Sequence, residues 1–161
     1  MLFGRRGWDK APAAPAGVLL ASAGTPFSGA AVRRACELAA GQPVAVLTIL
    51  KVYGSSFGLP NPGLLPTRRE RDEQYAIVRR AIAAVERRGG TADGQIAATR
   101  SAGRTIAKVA RRRRVRYVVM DDSAPSGMRR VTEGAVTATV RRRLGGGAEL
   151  ELVTGAPARN S

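Results

Sequence analysis

The sequence predicts an α/β protein, with residues 16–154 forming a five-stranded, mostly parallel sheet that carries helices on both faces. Three observations support this. Strand-like and helix-like segments alternate from residue 17 to residue 153. Pro43 to Leu50 is an almost wholly apolar run, which suits a strand covered on both faces. Residues 115–144 join a β-branched segment, a turn and a helical stretch, the unit that in α/β proteins commonly cradles phosphate.

Taken in order, Gly17 to Ser22 reads as the first strand. From Ser28 to Ala40, Val32, Ala35, Cys36 and Ala39 fall at i, i+3, i+4 and i+7, so a helix buries that face. Ser28 is its expected N-cap and Gly41 its stop. The second strand is Pro43 to Leu50. Lys51 to Thr67 is a Gly/Pro loop holding Tyr53, Phe57, Leu59, Leu64 and Leu65, suited to a lid, a partner contact or packing on the sheet. Thr67 to Arg88 is the second helix, with Tyr75, Val78, Ile82 and Val85 inward and Gly89 and Gly90 after it. Gln95 to Arg100 makes a weaker third strand. Ala102 to Arg114 is the third helix, with Ile106, Val109 and Ala110 inward; Arg111 to Arg114 read as its solvated last turn, where cations favour the negative end of the helix dipole. Arg116 to Met120 is the fourth strand, Asp121 to Gly127 a turn, and Arg129 to Leu144 the fourth helix, with Val136, Val140 and Leu144 inward. Gly145 to Gly147 lead into a last strand, Glu149 to Val153.

The chain has 161 residues and is 44% apolar, which fits one domain able to bury about two-thirds of its unfolded surface. Residues 1–15 form a basic, Ala/Pro-rich arm and 155–161 a short tail, both expected to be flexible. The longest apolar runs, Ala16 to Ala23 and Pro43 to Leu50, are under half of the roughly 20 residues that span a bilayer, so no membrane insertion is expected. Arg5 and Arg6 mimic a twin-arginine export signal. However, Asp9 interrupts the charged region, and cleavage after the apolar stretch would delete the first strand. The single Cys36 rules out an internal disulfide, in keeping with a cytoplasmic location.

The net charge is +15, and only three of the 27 basic residues are Lys. Together with abundant Ala, Gly and Val, this matches a coding sequence biased toward G and C. Whatever its origin, the charge attracts polyanions and acidic protein surfaces in a salt-dependent way. Aromatic residues for base stacking are scarce, at 4%, and the Arg pairs are spread over four helices.

The candidate site lies where the first and fourth strands end. Asp121 and Asp122 stand where bare backbone N–H groups would be needed to face an anion, so the cradle has the right parts but is closed to phosphate. Paired carboxylates at a sheet edge also suit Mg²⁺. With no His and no further clustered acid, pairing with Arg129 or Arg130 is favoured and no metal is expected. The chain has no His to serve as a base, no Cys–His pair and no G-x-S-x-G elbow, so no catalytic residue is expected.

From Gly17 to Val153, outside the 51–67 loop, the chain resembles the universal stress protein family. Three segments carry the likeness: Val18 to Thr25 with Ser28 beyond it, Ile106 to Met120, and Ser126 to Thr137 with Gly134 inside it. The resemblance implies a Rossmann-like, flavodoxin-like topology. In ATP-binding members an Asp ending the first strand contacts adenine, and a G-x-x-G-x9-G-[ST] loop holds the phosphates. Here Ala23 replaces that Asp, Asp121 and Ala124 replace the first two glycines, Gly134 keeps the third, and Ala135 replaces the Ser/Thr. The resemblance thus implies a vestigial cleft of Ala23, Gly24, Thr25, Asp121, Asp122, Ser123, Ala124, Gly127, Gly134 and Ala135, without ATP or another cofactor. It further implies a regulatory stress-response domain acting through a protein partner and a homodimer formed by the last strand, 149–153. Two other readings stay open: a nucleotide or small-ligand sensor with an altered cleft, and a basic nucleic-acid- or ribosome-associated protein.

Overall fold

The computed structural model describes residues 14–52, 65–122 and 128–154, with backbone alone for 128–133. The expected arm, the tip of the 51–67 loop and the 155–161 tail thus lie wholly or mostly outside the described residues. Among the described residues nine elements follow in strict alternation: β1 (Val18–Ser22), α1 (Gly29–Ala39), β2 (Val44–Lys51), α2 (Arg68–Arg87), β3 (Ala92–Thr99), α3 (Ala102–Arg112), β4 (Tyr117–Asp121), α4 (Met128–Leu144) and β5 (Glu149–Val153). The five strands form one sheet in the order β3-β2-β1-β4-β5, and every neighbouring pair is parallel. Of the two common doubly wound orders this is the Rossmann type, with its reversal between β1 and β4.

The period of two along each strand divides the core. Leu19, Ala21, Leu47, Ile49, Val118 and Met120 face α3 and α4, where Ile106, Ala110, Val140 and Leu144 cover them. Val18, Leu20, Val44, Val46 and Val119 face α1 and α2, against Val32, Ala35, Val78 and Val85. All five β1 residues are buried, as a central strand covered on both faces requires. Cys36 lies half-buried on the α1 face, and burial pushes its thiol up, with Glu37 adding to the shift and Arg88 opposing it.

The helix ends follow local chemistry. Ser28 caps α1 by accepting from the Ala31 N–H at 3.0 Å. The helix closes on Ala40, which takes a left-handed conformation (φ 47°) one residue before the expected Gly41. Thr67 and Glu70 form a capping box on α2, each side chain accepting from the other's backbone N–H. The N–H and hydroxyl of Thr67 hold the Glu70 carboxyl below the usual carboxylate range.

Two expectations change. The third strand begins three residues early, at Ala92, because β2 extends its ladder down to the Val44–Ala92 pair. Arg113, read as part of a solvated turn, is 1% exposed. Its guanidinium donates two 2.7 Å hydrogen bonds to the Asp93 carboxylate, and its Nε donates to the Ala14 carbonyl. The Ala16 N–H in turn donates to the Arg113 carbonyl at 2.9 Å, which ties the chain entering β1 to the end of α3.

Candidate functional site

Open α/β sheets bind ligands outside the carboxyl ends of the strands where their order reverses. Here that point is the end of β1 beside the end of β4. The first wall is the turn Ala23–Gly24–Thr25. Ser22 closes it: its hydroxyl oxygen accepts from the N–H groups of Gly24 (3.1 Å) and Thr25 (2.8 Å), and its O–H donates to the Thr25 carbonyl. Gly24 is required here, since φ is 106° and a Cβ would stand 3.0 Å from the Ile49 carbonyl oxygen. Gln74 of α2 donates to the Gly24 carbonyl at 3.0 Å and fixes the turn from outside.

The second wall is the end of β4. Asp121 is the last residue of that strand and shares its α1-facing side with Val119. Its carboxylate accepts the Ser28 N–H at 2.9 Å and the Ser28 hydroxyl. The side chain therefore turns to the N-terminus of α1, where free N–H groups and the positive end of the helix dipole stabilise an anion. The sequence expectation has Asp121 opening the loop; it is instead the last residue of β4, and the side chains of Arg129 and Arg130, its expected partners, lie outside those described. The pleat sets its direction: one residue more of strand directs the carboxylate toward α1.

Asp122 lies on the opposite side of the pleat and is exposed, while its N–H extends the ladder to the Val153 carbonyl at 2.8 Å. The adjacent acids thus diverge. Among the described residues no three His, Cys, Asp or Glu side chains gather as metal ligands do.

The third wall is α4. Gly134 and Ala135 are exposed, and among the described residues a Cβ added at Gly134 would meet nothing within 4 Å. The Thr137 hydroxyl donates to the Gly134 carbonyl at 3.0 Å and that of Thr139 to the Ala135 carbonyl at 2.8 Å. Ser123, Ala124 and Gly127 lie outside the described residues.

The structure thus brings together Ala23, Thr25 and Asp121, and adds Ser22, Val136 and Thr137, around a hollow of about 20 Å³. That is room for about one water and far below the roughly 300–1,000 Å³ of a ligand pocket. Sequence reasoning left Ser22 and Thr137 out of the site. Thr137 had a usable signal, since it lies three residues after Gly134 and so on the same helix face. Ser28 was read as a cap, and nothing in the sequence linked it to Asp121.

Comparison with known proteins agrees with this architecture. Residues 17–144 match the model of the universal stress protein family. Among solved structures, the universal stress protein from Archaeoglobus fulgidus superposes with a TM-score of 0.65 at 16% identity, covering 86% of this chain and 98% of its own. A universal stress protein in complex with cAMP gives 0.62 at 19% identity, covering 89% and 99%. A family protein from Burkholderia pseudomallei gives 0.61 at 17%, covering 86% and 96%. Comparison with curated proteins found no match. With its family-model match over residues 17–144 and its all-parallel β3-β2-β1-β4-β5 sheet, the chain belongs to the universal stress protein family.

Proposed function

We propose that this universal stress protein domain is a non-enzymatic regulatory module that works by dimerisation and protein contact, without binding ATP. The observation that carries the reading is the Asp121–Ser28 pair. It commits the last β4 side chain to α1 and puts a carboxylate at the cleft, where a triphosphate would be repelled by about 2–4 kcal/mol per charge pair at an effective dielectric near 20. The Ala23 side chain offers no acceptor for an adenine amine, and the hollow is small. For the dimer, β5 lies at the sheet edge, and its Leu150 and Leu152 remain half-buried. An edge strand of this kind suits pairing with a second copy.

The reading is tested by thermal shift of the full chain with ATP, AMP and cAMP in turn, together with its sedimentation behaviour. A dimer with unchanged Tm supports it. A shift of several degrees with any of the three overturns it and favours the altered-cleft sensor, the role suggested by the similar structure that holds cAMP.

A further inference from the structure

A parallel α/β fold imposes a consequence on the arginines that their scatter along the sequence hides. All five strands run one way, so every helix runs back, and every helix C-terminus arrives at the edge where the strands begin. That edge lies opposite the cleft described above. In α3 and α4, which pack together on one face of the sheet, the last turns carry Arg111 and Arg112 and Arg141 to Arg143. Arg114 follows α3, and Arg116 directly precedes β4.

Arg111, Arg112, Arg114, Arg116, Arg141 and Arg142 are all exposed. Among the described residues none has a carboxylate within 4.0 Å, although Arg34, Arg69 and Arg113 each find one. Glu149 is the nearby acid at the start of β5; its N–H donates to the Arg116 carbonyl at 2.9 Å, and its carboxylate makes no ion pair. The Nε of Arg143 is buried with no acceptor. Between the two helix ends lies a groove of about 220 Å³ whose rim includes Arg111 and Arg114 and whose floor includes Val115 and Leu144. Two helix dipoles offset part of this charge, but six exposed guanidinium groups without partners still repel one another.

We propose that this edge is a docking surface for the phosphate backbone of a nucleic-acid duplex, bound without sequence preference. The guanidinium fork matches phosphate oxygens two at a time. Packed helices lie about 8–10 Å apart, and a duplex carries one charge per ~1.7 Å of its axis, so several phosphates face both clusters at once. The surface lacks what other occupants need. Leu65 is the one large hydrophobic side chain exposed among the described residues, and it precedes α2, so the arginine edge presents no apolar anchor for a protein partner or a bilayer. Among the described residues no aromatic ring lines the groove, which removes the stacking that single strands use.

The test is fluorescence anisotropy of a labelled random-sequence DNA duplex with the full chain between about 50 and 200 mM salt. Three proteins are compared: wild type, the triple variant Arg111→Ala/Arg141→Ala/Arg142→Ala, and the control Arg71→Ala/Arg79→Ala/Arg80→Ala. The control removes equal charge from exposed positions on α2. Circular dichroism verifies that all three are folded. Wild type is expected to bind with a steep salt dependence. The edge variant should lose about tenfold or more in affinity and reduce the log–log slope by about 2 to 3, at ~0.9 per lost phosphate contact, whereas the control stays near wild type. Equal losses in both variants, or no binding at the lowest salt, would overturn the proposal. So would displacement by polyglutamate at matched charge, or tighter binding to phosphatidylserine vesicles than to the duplex.

Discussion

Asp121 at the end of β4 and Ser28 at the N-cap of α1, separated by 93 positions in sequence, are joined by two hydrogen bonds through both carboxylate oxygens. Ser28 passes the connection on to the Ala31 N–H at 3.0 Å. The acidic residue that ends the fourth strand thus has a structural role, which is to hold the first helix to that strand. Bonds to a charged acceptor contribute about 1.5–3 kcal/mol each.

Asp121→Ala removes the acceptor and leaves the Ser28 N–H and hydroxyl without it. The expected loss is about 2–4 kcal/mol in chemical denaturation. Asp121→Asn, which keeps one amide oxygen, should lose less than half as much. Equal stability of wild type and Asp121→Ala would show that the pair does not hold α1.

The Arg113–Asp93 pair predicts a larger effect. Asp93→Ala strands a guanidinium that is 1% exposed, and removing one partner of a buried pair costs about 3–5 kcal/mol. Arg113→Met with Asp93→Leu removes both charges while keeping most of the volume. Urea unfolding should place that double variant well above Asp93→Ala.

Two helical glycines should respond oppositely to alanine. At Gly103 a Cβ would stand 2.7 Å from the Thr139 Cβ and 3.1 Å from the Val136 carbonyl oxygen, so α3 and α4 must separate. The expected cost is about 1–3 kcal/mol. At Gly134 the added methyl meets nothing among the described residues, and the helix propensity of Ala should raise stability by roughly 0.5–1 kcal/mol. Thermal melts of the two variants check both signs.

The α2 capping box predicts a pH dependence. The backbone N–H of Thr67, then its hydroxyl, hold the Glu70 carboxyl below its ordinary value. A depressed folded value means stability that is present above the ordinary carboxylate range, about 4.3, and lost as pH falls through the folded value. Glu70→Gln should therefore lower Tm at neutral pH, and the difference from wild type should shrink on acidification.

Cys36 supplies a chemical readout. Burial raises its thiol, with Glu37 adding and Arg88 opposing. Alkylation by iodoacetamide should be slow at neutral pH and accelerate only above the ordinary thiol range near 8.5. Rapid labelling at neutral pH would mean that α1 opens from the sheet.

The alternation of periods made the fold legible. The run 43–50 became β2, buried at seven of its eight residues, and the Val32, Ala35 and Ala39 face became the α1 seam. The start of β3 was hidden because Ala92, Asp93 and Gly94 carry turn chemistry in a single chain; their strand state comes from the β2 ladder and from Arg113. Arg113 itself was indistinguishable from its exposed neighbours, since its burial depends on Asp93 and Ala14, far away in sequence. At the site, Ala23, Asp121 and Ala135 were singled out through the resemblance, as expected departures from the ATP-binding pattern. The direction of Asp121 was not legible, because it depends on where β4 stops. The gathering of arginines at one sheet edge was hidden because the sequence does not tell that α3 and α4 pack side by side on one face.

The central claim is that the cleft between β1 and β4 does not take ATP. Isothermal titration of ATP into the full chain, beside the variant Ala23→Asp/Asp121→Gly/Ala124→Gly/Ala135→Ser, tests it most directly. The account predicts no heat of binding for the wild type, with saturable binding only in the variant. Saturable binding by the wild type at micromolar ATP would contradict it.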